Sequence, residues 1–231
     1  MKNASNSIIN PKDTAEDIAY RKIKIAFNKR YIKSGKQLKE TALAKKLNVS
    51  RTPIRGAIKR LVYEGFVKIY PNKGAFVIEP SISDIRQTFA VRANIEEMSA
   101  FQAALHITDE QIDELYRLID DEIQLFDARE MEYYQTNDAI HLAIAKASKN
   151  FILTHYVKDI LNRTNIYLVL FDPFFKRVIN PSEAEHLKIV QYLKKRDPKN
   201  AARMMVNHLE TVFEELNLDQ LEILPEDYID L

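Results

Sequence analysis

The distribution of glycine along the chain is the feature that most constrains its fold. The chain has 231 residues, and its four glycines, Gly35, Gly56, Gly65 and Gly74, all lie in the first 75. Glycine is among the residues that most disfavour the interior of a helix, so the glycine-free remainder is typical of long helices. The sequence therefore predicts an N-terminal region with turns, followed by a largely helical region.

Charge divides the chain at the same place. Residues 1–75 carry 18 Lys and Arg against 5 Asp and Glu, and the remaining residues carry 16 against 28, so net charges of +13 and −12 add to the overall +1. A basic block followed by an acidic block indicates two functional units. The basic unit is a candidate for binding a polyanion, and the alternative is a solvated charged surface.

Several classes of protein are disfavoured by the composition. The chain has no cysteine, which excludes disulfides and thiolate metal sites and suits a reducing cytoplasm. It has no run of about 18 apolar residues that would span a membrane. The N-terminus lacks the apolar core of a signal peptide. We therefore expect a cytoplasmic protein with no membrane partner.

The basic region has the pattern of a winged helix-turn-helix. Two short predicted helices are joined by a tight turn and followed by two strands with a hairpin loop. Ser50 is placed to cap the second of these helices, and Gly65 is placed to end it. The predicted helices are 14–28, 40–47 and 51–64, and the predicted strands are 66–70 and 75–79.

The second short helix has the pattern of a DNA recognition helix. Ile54, Ile58 and Leu61 recur at helical spacing and are expected to pack inward. Polar and cationic side chains then point outward near the N-terminus of the helix, as the major groove requires, and the hairpin adds a Lys-Gly tip for phosphate or the minor groove. Each cation alone is also explained as a solvated surface residue. The candidate DNA-binding residues are Arg51, Thr52, Arg55, Lys59, Lys73 and Gly74.

The acidic region is predicted to be helical throughout. Its predicted helices are 83–105, 108–126, 129–148, 150–171, 181–195 and 197–216, with Ser83 as the first cap. The expected fold is mainly α: an N-terminal winged helix-turn-helix of three helices plus a β-hairpin wing, then an all-α antiparallel helical bundle. The expected parts are a flexible tail (1–13), a DNA-binding domain (14–79), a linker (80–82), an effector, metal-binding and dimerisation domain (83–217) and an acidic tail (218–231).

Five histidines lie in the acidic region. His106 and His155 are interpreted as ordinary packed or surface residues. Asn137 and His141 are four residues apart, on one face of one predicted helix, whereas His186 and His208 lie on later helices. Spacing alone does not bring these helices together, so a metal site and ordinary packing both remain open.

The N-terminal motifs resemble those of the GntR family of bacterial regulators. The match covers roughly residues 14–79 and centres on Val49-Ser50-Arg51-Thr52-Pro53-Ile54-Arg55, with Glu64-Gly65 and the wing Lys73-Gly74-Ala75-Phe76-Val77. The resemblance implies a homodimer that reads palindromic double-stranded operator DNA, with Arg51, Thr52, Arg55 and Gly74 at DNA-contacting positions. Gly56 departs from the Glu usual there, and we hypothesise that it allows closer approach to DNA or alters base preference.

Residues 83–216 resemble the FCD effector domain of the FadR branch of that family. Six predicted helices favour its smaller, VanR-like version. The resemblance implies a divalent metal held by Asn137, His141, His186 and His208, with Asp138 as an alternative to Asn137. Imidazole and oxygen ligands without thiolate suit Zn²⁺, Ni²⁺ or Mn²⁺.

An effector site follows from the same resemblance. Arg92 matches a family position that faces the pocket, where a guanidinium would clamp the carboxylate of a small organic acid. The alternative is a surface ion pair with Glu96. We expect an effector-controlled DNA-binding regulator and not an enzyme. A metal sensor without an organic effector is the alternative, and a metalloenzyme is a weaker one, since no His-Glu-x-x-His run is present.

Overall fold

A computed structural model describes residues 13–216 and residue 218. The chain divides into two compact units whose boundary lies between Pro80 and Ser81. Apart from Asp13 and Leu218, the tails predicted for 1–13 and 218–231 lie outside the described residues.

The first unit consists of three helices and a two-stranded antiparallel hairpin. Val67 faces Val77 in the hairpin, and Tyr70 faces Gly74 beside the turn. Gln37, in the connection before the second helix, forms an isolated bridge with Phe76. The elements are α1 (Ala15–Asn28), α2 (Glu40–Leu47), α3 (Arg51–Tyr63), β1 (Val67–Tyr70) and β2 (Gly74–Val77).

Local chemistry explains where these elements begin and end. The Thr14 side chain accepts a hydrogen bond from the Asp17 backbone in a capping box that starts α1. Gly65 follows α3 with φ 84°, a left-handed conformation that glycine adopts without a steric penalty. The chain then turns so that Phe66 stacks on Phe27 of α1 with ring centroids 6.1 Å apart. The wing therefore leaves α3 from a fixed position in the core.

Gly56 lies against the side chain of Glu16 on α1. A Cβ built on Gly56 would lie 1.9 Å from the Oε2 atom of Glu16, so the open side of this glycine faces the α1 side chain. The hypothesis that Gly56 allows closer approach to DNA or alters base preference stays a prediction. The Glu16 carboxylate is the far end of an exposed, flexible side chain, and it is what a larger residue here would displace.

The second unit contains six α-helices within its described residues, the number predicted, and one short 3₁₀ turn at Phe174–Lys176. The helices are α4 (Ile82–His106), α5 (Asp109–Ala128), α6 (Tyr133–Ala147), α7 (Phe151–Phe171), α8 (Pro181–Lys194) and α9 (Pro198–Glu214).

The starts of α4 and α6 differ from the sequence predictions for reasons that the structure shows. Ser81, not Ser83, caps α4, because its side chain and that of Asp84 complete a capping box. Helix α6 begins at Tyr133 instead of 129, because Arg129 adopts a left-handed conformation with φ 60° as the C-cap of α5. At other helix starts a short polar residue caps the helix as expected; the Asn150 side chain, for example, caps α7.

Helix α4 is central to the second unit. It packs against α6, α7, α8 and α9, while α5 packs against α6 and α8. The core contains Ala100 and Ala103 of α4, Ile140 of α6 and Met205 of α9. Each of the six helices also contributes at least one buried polar side chain. The predicted fold class is confirmed. Within the described residues, no helix combines the length and apolar character needed to cross a bilayer.

Candidate functional site

Three histidines from three helices meet inside the second unit. His141 of α6, His186 of α8 and His208 of α9 are each at most 1% exposed. One ring nitrogen from each lies within 4.8 Å of those from the other two. The sequence left open whether these helices converge, and the structure brings all three together. His106 and His155 are exposed and lie outside this cluster.

Each of the three imidazoles is held by one carboxylate through its Nδ1 atom. The carboxylates come from α4, α5 and α8, so the cluster joins five of the six helices. The pairs are His141 with Glu96 at 2.5 Å, His186 with Glu122 at 2.8 Å and His208 with Glu185 at 2.8 Å. A carboxylate partner makes Nδ1 the protonated nitrogen and leaves the lone pair on Nε2, as in histidines that bind metal.

The Nε2 lone pairs face a shared point. The Nε2 atoms of His141 and His208 are 3.3 Å apart. With both protons on Nδ1, neither atom has a proton to donate to the other. The Nε2 atom of His186 is buried and has no hydrogen-bond partner among the described residues. Two nitrogens bound tetrahedrally to one Zn²⁺ lie about 3.4 Å apart, so these residues fit a divalent cation.

Burial favours the neutral, metal-binding form of His141 and His208. Burial lowers the pKa of His208 well below its usual value, and nearby His186 and His141 lower it further. Burial also lowers the pKa of His141, although Glu96 opposes the shift. Neutral rings bind cations without first losing a proton at neutral pH.

Asn137 and Asp138 point to different partners. Asn137 is 6% exposed, and its Nδ2 atom donates to the Oε1 atom of Glu122 at 3.0 Å. Asp138 accepts a hydrogen bond from Asn165 of α7 at 2.9 Å. Of the two, Asn137 therefore shares a carboxylate with the histidine cluster.

Arg92 is buried beside the cluster. It is 1% exposed, its Nε atom donates to Glu96 at 2.6 Å, and its Nη1 atom donates to Thr164 at 3.2 Å. The ion pair with Glu96 that the sequence offered as an alternative is present. It is buried rather than on the surface, because α7 and α9 pack against α4. The Nη2 atom is buried without a hydrogen-bond partner among the described residues.

One carboxylate therefore serves both Arg92 and His141. Burial by itself raises the pKa of Glu96, but His141 and Arg92 together lower this pKa to about 2. Glu96 is thus ionised at neutral pH and balances the guanidinium charge. A change at Arg92 is connected to His141 through a single side chain.

The candidate DNA-contacting side chains lie on the surface of the first unit. Thr52, Lys59, Lys73 and Gly74 are exposed, as are Arg51 and Arg55. In the wing, Gly74 has φ 91°, a conformation that disfavours other residues. The arrangement presents α3 and the hairpin tip, with cations on both.

Two family models match the two units. The model described as "Bacterial regulatory proteins, gntR family" matches residues 15–77, and that of the FCD domain matches residues 87–211. The chain belongs to the GntR family. It is a member of the FadR branch, in which an FCD domain follows the DNA-binding domain.

Known relatives agree with this assignment. The GntR protein is 28% identical over 188 residues to the Nta operon transcriptional regulator of Aminobacter aminovorans, covering 80% of this chain and 87% of that one. It is 24% identical over 210 residues to the transcriptional repressor RspR of Escherichia coli K12, covering 89% and 90%. These relatives are regulators, so this GntR protein is a transcription regulator and the metalloenzyme alternative is set aside.

A solved structure shows the same fold. The structure of E. coli McbR/YncC superimposes with a TM-score of 0.61 at 21% identity and covers 91% of this chain and 100% of that one.

Sequence reasoning gave no role to two of the carboxylates that hold the histidines, Glu122 and Glu185. Glu122 follows Leu115 and Ile119 and precedes Phe126 along one helical face of α5, and all four are buried. An acidic residue at a core position of an apolar stripe is unusual, and that was the available signal.

We expect Glu96→Gln to lower the free energy of unfolding by about 3 kcal/mol, because it leaves the Arg92 charge buried without a counter-charge. Glu185→Gln is the control, since this partly buried carboxylate also holds a histidine but faces no guanidinium; its cost should be under about 1 kcal/mol. Urea denaturation with EDTA present measures both.

The free energy of unfolding should also depend on pH through Glu96. The folded-state pKa of Glu96 is depressed to about 2, so its contribution is complete above the unfolded value near 4.5 and is lost as pH falls from there toward 2. Wild-type stability should fall more steeply over this range than that of Glu96→Gln. Equal costs and equal slopes for both variants would contradict the buried pairing.

Proposed function

We propose that this regulator binds operator DNA as a homodimer and that a divalent metal and a small organic acid in the helical domain control its operator affinity. DNA binding is assigned to residues 14–79, and metal, effector and dimer contacts to residues 83–217, with 80–82 as the linker. We propose that it acts in the cytoplasm, because its proposed partner is operator DNA. The observation that carries the proposal is the convergence of three buried Nε2 atoms beside a buried guanidinium.

The proposed metal ligands are His141, His186 and His208 with Asn137. Support comes from the carboxylate at every Nδ1 atom, which fixes each ring with its lone pair inward. Asn137 is favoured over Asp138 because it is buried next to Glu122. The cation when bound would supply Lewis acidity toward an anionic ligand, and Zn²⁺, Ni²⁺ and Mn²⁺ suit this donor set.

The proposed effector is a carboxylate held by Arg92. An unsatisfied buried Nη2 atom costs about 1–3 kcal/mol, and a carboxylate oxygen would satisfy it with a charge-assisted hydrogen bond. Such a ligand would control DNA binding only if it bound one arrangement of the dimer more tightly than another. A metal sensor without an organic effector is the second candidate, favoured by the complete set of histidine partners.

We expect the wild-type protein to bind about one Zn²⁺ or Ni²⁺ per chain and His208→Ala to bind it at least tenfold more weakly, because a ligand is lost. His155→Ala is the matched control, since that side chain is exposed and outside the cluster. Calorimetry and elemental analysis measure these values.

A second titration separates the two candidates. Citrate and other small acids are added to metal-loaded protein while affinity for operator DNA is measured. An acid response that Arg92→Lys abolishes supports an organic effector, whereas a response to metal alone supports the sensor. Unchanged Zn²⁺ affinity in His208→Ala would refute the metal site.

The proposed DNA contacts are Arg51, Thr52, Arg55 and Lys59 on α3, with Lys73 and Gly74 on the wing. Support comes from their exposure on two adjoining elements and from the family to which the chain belongs. The α3 side chains are proposed to read bases in the major groove, and the wing to contact the backbone or minor groove.

We expect Arg55→Ala to weaken binding to operator DNA by about 1–3 kcal/mol and to reduce sequence preference, because a base contact is lost. Lys73→Ala should weaken binding to all sequences alike, because a phosphate contact is lost. The slope of log affinity against log salt concentration should become shallower by about one. Lys199→Ala, an exposed cation of α9, is the control. Fluorescence anisotropy at several salt concentrations measures these effects, and a wild-type sequence preference in Arg55→Ala would refute the assignment of α3.

The proposed homodimer surface is the exposed apolar face of α4 and α7. Gln102 of α4 contacts Asn150 at the start of α7, so the apolar residues of the two helices lie near one another. Large exposed apolar groups on one face indicate an interaction site. A second copy is the favoured occupant because two-headed operator binding needs a self-complementary contact. The apolar residues are Val91, Met98, Phe101, Leu105, Phe151, Ile152 and Tyr156.

We expect Phe101→Glu to raise the dimer dissociation constant at least about 100-fold, because a charge would be buried unpaired at the interface. Val178→Glu is the control, since Val178 is 88% exposed and lies outside both helices. Sedimentation velocity measures the dissociation constant. A dimer of wild-type strength in Phe101→Glu would place the interface elsewhere.

A further inference from the structure

Glu40 is the first residue of α2 and contacts both arginines proposed to read bases. Its Oε2 atom accepts a hydrogen bond from the Nη2 atom of Arg51 at 3.0 Å. Arg55 donates to both of its oxygens, from Nε at 3.2 Å and from Nη2 at 3.1 Å. One carboxylate therefore ties together two side chains that are each more than half exposed.

This arrangement leaves particular donors of the arginines available. A guanidinium has five N–H donors, and the pair formed by Nε and Nη2 lies along one edge of the plane. Glu40 occupies that edge of Arg55, so the terminal edge formed by Nη1 and Nη2 remains for another acceptor. Two parallel N–H groups on a terminal edge match the O6 and N7 acceptors of guanine. Arg51 likewise keeps its Nε and Nη1 donors.

The carboxylate also changes the charge of the surface. Without Glu40, Arg51 and Arg55 present two positive charges, and with it they present one. Attraction to the phosphate backbone grows with the number of cations and is independent of sequence. Glu40 therefore opposes binding at any sequence, whereas a base contact made through the terminal edge is available only at the correct one.

Glu40 is fixed in place by the backbone around it. Leu38 donates its backbone N–H to Ala75 of β2 at 2.8 Å, and the Gln37 side chain donates to the Lys73 carbonyl at 2.5 Å. The segment that leads into α2 is thus bonded to the wing. The backbone that carries Glu40 is therefore tied to the wing, while its carboxylate contacts the arginines of α3.

We propose that Glu40 is a positioning residue for operator selectivity, which holds Arg51 and Arg55 in a base-reading orientation and reduces their attraction to non-operator DNA. This inference rests on the proposed function, because it takes Arg51 and Arg55 as base contacts. Glu40 acts only through these arginines and does not itself touch DNA.

The test compares two DNA probes. The first is a duplex enriched by the full-length wild-type protein from a randomised library, and the second is the same duplex with its sequence scrambled. We expect Glu40→Gln to bind the scrambled duplex about 3–10-fold more tightly. Its slope of log affinity against log salt concentration should be steeper by about one. The ratio of the two affinities should fall about tenfold, because the arginines are no longer aligned.

Glu40→Asp separates charge from geometry. It keeps the charge but is too short to span both arginines, so scrambled-duplex affinity should stay at the wild-type value while the ratio falls. Glu79→Gln is the control, because it removes one exposed carboxylate of the same unit that is near Gly35 and not near α3; its ratio should equal that of the wild type. Circular dichroism confirms that each variant is folded.

The outcomes distinguish this inference from the proposed function. If Arg55→Ala keeps the preference for the enriched duplex, the proposed base contacts fail and the inference fails with them. If Arg55→Ala loses that preference while Glu40→Asp, and Glu40→Gln where it folds, keep the wild-type ratio, the base contacts stand and the role of Glu40 is overturned. A fall in the ratio for Glu79→Gln as large as that for Glu40→Gln would also overturn it, because charge anywhere on the unit would then suffice.

Discussion

Pairing between charged and polar groups that water cannot reach determines how the helices of the second unit are arranged. A buried carboxylate is stable as an anion only when donors surround it. Glu96 has Arg92 and His141, and Glu122 has His186 and Asn137. Each carboxylate lies on a different helix from its histidine, so satisfying the charges also sets which helices adjoin. The apolar core alone would tolerate many such arrangements.

The same pairing explains why the imidazoles face one another. Three basic rings in a low-dielectric interior would ordinarily be unfavourable, and burial lowers the pKa of His141 and His208 so that both are neutral. With the Nδ1 atoms engaged by carboxylates, the lone pairs have only the shared centre left. The first unit uses charge differently, since Arg51 and Arg55 are exposed, Glu40 is partly exposed, and their pairing is readily exchanged for other acceptors.

The sequence predicts the fold well where the signals are local. Glycine placement separates the two regions, and short polar residues such as Asn150 identify helix starts. Local reasoning fails where two signals compete: Ser81 and Ser83 both suit a cap, and only Ser81 has Asp84 three residues later. Gly56 shows a further limit, because its neighbour Glu16 lies 40 positions earlier and only the packing of α1 on α3 brings it close.

The candidate site is less predictable for the same reason. Asn137 and His141 share a helix face by spacing, but nothing in the sequence links His186 to Glu122, which lies 64 residues away. The pairing of Arg92 with Glu96 follows from their four-residue spacing. The burial of this ion pair depends on α7 and α9, which come later in the chain. Resemblance to known domains supplied the grouping of the histidines. The Nδ1 partners and the unsatisfied Nη2 atom required coordinates.

Helix α4 has the properties of a lever. Its 25 residues make it about 37 Å long, and its first residue, Ile82, comes directly after the boundary between the two units. Arg92 and Glu96 lie near its middle, and the Met98 and Phe101 side chains are exposed further along. Arg92 is roughly 15 Å from Ile82, so a rotation of α4 by about 4° around Arg92 moves the start of the helix by about 1 Å. A change at the buried Arg92–Glu96 pair that tilted α4 would therefore be felt most at the ends of the helix.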